Sequence, residues 1–107
     1  MSSVCPTTIH ACLDPAIFML GTRDIAAPLR MKVESAIDEG RTPVCVDFTG
    51  LLATQSFVDE FLGPLILRHG PTVLERIVFR NCHEDVKAAI DLVATVRSSE
   101  FIAIHAS

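Results

Sequence analysis

The residues best suited to chemistry crowd into one stretch of the chain. V44-C-V-D-F-T-G50 is apolar as far as Asp47, and T54-Q-S-F-V-D-E60 follows after a short spacer. Ser56 offers a hydroxyl where a helix is about to start, and Asp59 and Glu60 offer adjacent carboxylates. A hydroxyl in that place serves either as a helix cap, worth ~1 kcal/mol, or as a group shown to a partner or an enzyme. Capping is the favoured reading, with Ser56 and Asp59 resembling a capping box. Adjacent helical side chains diverge by about 100°, so Asp59 and Glu60 do not jointly grip one substrate bond. They are read as favourable charge near a helix N-terminus. Asp47 is expected to bond loop amides just past its strand. That strand end is also where ligand crevices form in open α/β sheets, and the alternative reading is a small-ligand or nucleotide-binding domain with Asp47, Thr49 and Thr54 lining the crevice.

Elsewhere the pattern argues against catalysis. His10, His69, His83 and His105 are far apart, and nothing in their spacing pairs one with Ser56 or a cysteine. Cys5, Cys12, Cys45 and Cys82 form no closely spaced pair of the kind a zinc site uses. Free, reduced thiols are expected. T49-G-L-L-A-T54 lacks the spacing and the lysine of a phosphate-binding loop. The reading is a non-enzymatic domain with no metal and no cofactor.

Composition bounds the rest. The chain has 107 residues, half of them apolar, with mean hydropathy +0.42. One domain spanning residues 1–107 is expected, with 1–13 as an extended segment or edge strand. The core must be built from aliphatic residues and six Phe, because Trp and Tyr are absent. Net charge is −4 and the nine Lys and Arg are scattered, which disfavours nucleic acid. No apolar run approaches the ~20 residues of a membrane span, and the start of the chain lacks a signal-peptide pattern. A cytoplasmic protein is expected.

The elements that must position these residues follow from hydrophobic period. T8-I-H-A-C-L13 and A16-I-F-M-L20 read as extended pieces broken at Asp14-Pro15, either a hairpin or one bent strand. Residues 24–39 read as a helix with Pro28 in or near its first turn. Val44–Phe48 reads as a central strand apolar on both faces. Ser56–His69 carries a broad apolar stripe, interrupted by Pro64, where a kink or 3₁₀ step is expected. R76-I-V-F-R80 reads as a strand, residues 83–97 as a helix burying Val86, Ala89, Ile90, Val93 and Val96, and F101-I-A-I-H105 as a last strand. Alternating strands and helices imply an α/β fold with largely parallel pairing.

V46-D-F-T-G50 followed by S56-F-V-D-E60, with G21-T-R-D-I-A-A-P-L-R30 upstream, resembles the bacterial STAS-like domains, distant relatives of anti-sigma factor antagonists. The resemblance covers roughly residues 16–105. It implies a mixed, largely parallel sheet with about three helices mainly on one face. It also implies a regulatory protein-interaction module, docking a partner such as a histidine-kinase-like ATPase or anti-sigma-type kinase. The implied surface is the loop and helix start at Thr54, Gln55, Ser56, Phe57, Asp59 and Glu60. Antagonists carry Asp-Ser-Ser-Gly there, with the second serine phosphorylated. The matching positions here are Gln55, Ser56, Phe57 and Val58, so Phe57 stands at the acceptor position and Ser56 is the substitute candidate. A homodimer through an uncovered sheet face is a further expectation.

Overall fold

The computed structural model describes residues 7–11, 19–21 and 23–105. The Asp14-Pro15 turn, Cys5 and Cys12 lie outside these residues. The elements run in the order β1 (Thr7–His10), β2 (Met19–Leu20), α1 (Arg23–Asp38), β3 (Val44–Asp47), β4 (Leu52–Ala53), α2 (Gln55–His69), a 3₁₀ turn (Pro71–Arg76), β5 (Ile77–Arg80) and α3 (Glu84–His105).

β3 is central, as its apolar run requires, and β1 and β5 flank it in parallel. β2 pairs in parallel with β4 as a separate two-stranded sheet. Thus β1 and β2 join different sheets and do not pair as a hairpin; the bend expected at Asp14-Pro15 lies outside the described residues. Every described pairing is parallel, in keeping with right-handed strand–helix–strand connections.

The helices cover one face of the three-stranded sheet. Val44 and Val46 of β3, with Ile9, Ile77 and Phe79 at matching registers, join the hydrophobic core beneath them. The opposite face carries Thr8, Cys45 and Val78 in one row and His10, Asp47 and Arg80 in the next. Phe79 links sheet to helix, its ring 6.5 Å from that of Phe61 in an edge-on arrangement. Phe57, Val58, Phe61, Leu62, Leu65 and Ile66 of α2 are all buried, which is the stripe the spacing predicts.

α2 remains helical through Pro64, with no 3₁₀ step. Burial of the stripe on both sides of the proline offsets the ~3 kcal/mol an interior proline costs. Pro28 likewise lies inside α1, beyond its first turn. The larger departure is at the C-terminal end. Residues 101–105 continue α3 and form no strand. No Gly or Pro separates Arg97 from Phe101, so nothing local stops the helix. Phe101 packs over Gly70, and His105 stacks on Phe101 with ring centroids 4.0 Å apart. Val96, expected in the buried row, is 43% exposed, whereas Val86, Ile90 and Val93 are buried.

Cys45 corrects the expectation of reduced thiols. It is disulfide-bonded, while Cys82 is free.

Candidate functional site

The stretch from Asp47 to Glu60 runs from the end of β3 through β4 into the start of α2. Asp47 ends β3 and its Oδ1 accepts three bonds: from the Thr49 amide at 2.9 Å, the Thr49 hydroxyl at 2.5 Å and the Asn81 side-chain amide at 3.1 Å. These donors hold its carboxyl below the usual carboxylate range, with the Thr49 hydroxyl contributing most. Nδ1 of His10, the next residue across the ladder, lies 3.7 Å from Oδ2. Asp47 therefore bonds a loop amide just past its strand, as expected, and through Asn81 also ties in the loop after β5.

The helix cap falls on a different hydroxyl from the one expected. Thr54 is the N-cap of α2, with extended backbone, and its Oγ1 accepts a bond from the Phe57 amide at 3.1 Å. Ser56 sits one position inside the helix, exposed beside exposed Gln55. The capping box assigned to Ser56 and Asp59 is therefore not formed. A threonine just before a polar helix start is itself a strong N-cap signal.

Asp59 and Glu60 part company as adjacent helical residues must. Asp59 reaches α3, where the Arg97 guanidinium bonds both its oxygens. Glu60 reaches α1, where Nη1 of Arg30 bonds its Oε2 at 3.0 Å and its main-chain oxygen at 2.8 Å. Further along, Glu34 of α1 meets Arg68 at 2.7 Å and His69 at 3.3 Å. Four charged side chains thus fix α2 between its neighbours near its start, and Glu34 holds its end. Arg30 and Arg97 were not singled out in the sequence, where nothing marks them as partners of residues thirty or more positions away.

Phe57 is wholly buried and stacked near Phe61, ring centroids 6.4 Å apart. Its ring serves the core and offers no surface to a partner, unlike Gln55 and Ser56. Asp47, Thr49 and Thr54 are not among the residues lining the cavity nearest the end of β3. That cavity, of about 490 Å³, is lined by Gly50, Leu51, Leu52, Asn81, Cys82 and His83. Burial pushes the Cys82 thiol up, so it is a neutral thiol at neutral pH. His83 Nδ1 accepts the Asp85 amide at the start of α3. Among the described residues, no group of three or more His, Cys, Asp or Glu could hold a metal ion. Among the described residues no helix is long and apolar enough to cross a membrane.

A parallel sheet covered on one face by its connecting helices defines a small α/β domain. The chain belongs to the family described as the STAS-like domain of unknown function, whose model matches residues 26–87. No curated protein and no solved structure matches the chain.

Proposed function

We propose that this domain is a non-enzymatic interaction module that docks a protein partner through the start of α2. The observation that carries the reading is the exposed pair Gln55 and Ser56, set on a helix whose next turn is fixed by Arg30 and Arg97. A docking surface gains affinity when its side chains stand on a rigid element, because less ordering is required on binding. The resemblance to antagonists points to a histidine-kinase-like ATPase as the partner class, acting in the cytoplasm.

The ion pairs also bear on Ser56 as a phosphoacceptor. Asp59 and Glu60, one turn further along α2, would repel a phosphate on Ser56, but Arg97 and Arg30 offset both charges. The helix N-terminus and its free amides favour an anion there. Docking does not depend on that modification.

The test is affinity recovery of the tagged protein from its host, with intact-mass analysis, repeated for Gln55→Arg and Ser56→Arg. Co-purification of a histidine-kinase-like ATPase, lost in both variants, supports the reading. Equal recovery of that ATPase by both variants sinks it. A mass increase of one phosphate, absent in Ser56→Ala, adds the switch.

The cavity beside Leu51, Leu52 and Cys82 favours a second reading, a small-ligand site at the end of β3. Its volume is within the range of ligand pockets. A small molecule retained on the purified protein, with no protein partner, supports that reading.

A further inference from the structure

We infer that the outer edge of β1 is a second docking surface, built to accept an extended acidic peptide of another protein as an added strand. β1 is the edge of the order β1-β3-β5. The Ala11 amide bonds the Asp47 carbonyl, so alternation turns the amides and carbonyls of Thr7 and Ile9 toward β3 as well. The amides and carbonyls of Thr8 and His10 then point outward, and among the described residues no strand pairs with them. A row of outward main-chain groups is matched in full by another extended segment.

The surroundings of that edge say what the segment carries. A groove of about 480 Å³ runs between β1 and α1, lined by Thr7, Thr8, Ile9, Met31, Lys32, Ser35 and Arg41. Both charged residues lining it are basic, in a chain whose net charge is −4. Arg41 pairs with Glu39 at 2.8 Å, but both side chains are at least half exposed, and such pairs exchange readily. Met31, 63% exposed, supplies an apolar contact beside the two cations. The Thr7 hydroxyl in the same groove is buried without a hydrogen-bond partner, and polar groups in that state are few in folded proteins. Pairing of β1 with a second copy would bring two basic rims together, so charge selects an acidic partner segment.

The test titrates a capped hexapeptide of alternating valine and glutamate into the full chain, followed by amide shifts and calorimetry. Expected are saturable binding, shifts centred on Thr7–His10 and Met31, and at least a tenfold loss in Lys32→Glu. Thr8→Pro removes an outward amide while sparing the β3 ladder, and edge strands tolerate proline with that orientation. It should also weaken binding at least tenfold. Should Thr8→Pro fail to fold, the Lys32→Glu loss and a valine–lysine control peptide that does not bind decide the matter. No binding at millimolar peptide overturns the proposal, as does equal binding of the lysine peptide. Self-association of the free chain through β1, abolished by Lys32→Glu, would identify a second copy as the occupant and also overturn it.

Discussion

Asp59 of α2 and Arg97 of α3 meet through two bonds, Nε to Oδ1 and Nη2 to Oδ2, each 2.8 Å. A third arm of the guanidinium reaches Glu100 one turn on, at 2.6 Å. A planar fork fixes the rotation of one helix against the other as well as their separation, which a point charge does not do. Arg97→Lys keeps the charge and loses the fork. Because the pair is partly exposed, solvent screening limits its worth, and the expected loss is about 0.5–1 kcal/mol. Chemical denaturation of Arg97→Lys, Asp59→Asn and the double variant checks this. Additive losses would show that the two side chains are not coupled.

Gly63 lies directly under that pair. A methyl added there would sit 3.3 Å from Asp59 Oδ1 and 3.4 Å from Arg97 Nε. In an open helix, Gly→Ala gains about 1 kcal/mol. Here the crowding offsets that gain, so Gly63→Ala should change stability by less than about 0.5 kcal/mol. In an Arg97→Ala background most of the gain should return. The same effect in both backgrounds would mean that the glycine has nothing to do with the ion pair.

The two hydroxyls at the start of α2 separate structure from recognition. Thr54→Ala removes the cap and should cost about 1 kcal/mol. Ser56→Ala removes an exposed hydroxyl from inside the first turn and should stay within about 0.5 kcal/mol. Thermal or denaturant unfolding of the two variants ranks them. Equal losses would place the cap on both residues or on neither.

How far the sequence was legible follows from which interactions are local. The apolar period of Val44–Phe48 and of Phe57–Ile66 fixes a central strand and a buried helix face, and both appear as expected. The divergence of Asp59 and Glu60 is also local, being set by 100° per residue. Their partners are not, since Arg30 and Arg97 reach them only after the helices have packed. F101-I-A-I-H105 shows the same limit from the other side. Five residues rich in Phe and Ile suit a strand or a helix end equally, and the contact with Gly70 decides between them. The matched family region, residues 26–87, contains the strand–loop–helix segment that carried the resemblance.

That contact can be probed at Gly70. Its φ is +88° with ψ 168°, a backbone conformation almost confined to glycine, and an added Cβ would lie 3.2 Å from the Phe101 ring. Gly70→Ala should therefore cost about 1–3 kcal/mol from backbone strain, with crowding added. In a Phe101→Ala background the strain should persist and the crowding should vanish, so the second cost should be smaller than the first. Equal costs would show that residue 101 is not seated over Gly70, and would reopen the strand reading of the chain's end.

Asp47 gives the pH dependence. Its folded carboxyl is held below its ordinary value by the Thr49 hydroxyl and amide and by Asn81. A carboxylate shifted in that direction stabilises the fold fully above its unfolded pKa of ~3.9, and the contribution fades as pH falls through the folded value. Asp47→Asn should cost about 1 kcal/mol at pH 7, because the neutral amide oxygen accepts the same bonds less strongly. The gap between the two proteins should stay constant down to about pH 5 and close as the medium is acidified below about pH 4. Denaturant midpoints measured from pH 7 to pH 3 give the comparison directly. A gap that widens on acidification would assign the carboxyl a raised value, and Asp47 would then be a strained group awaiting a partner in place of the bond that joins the two loops.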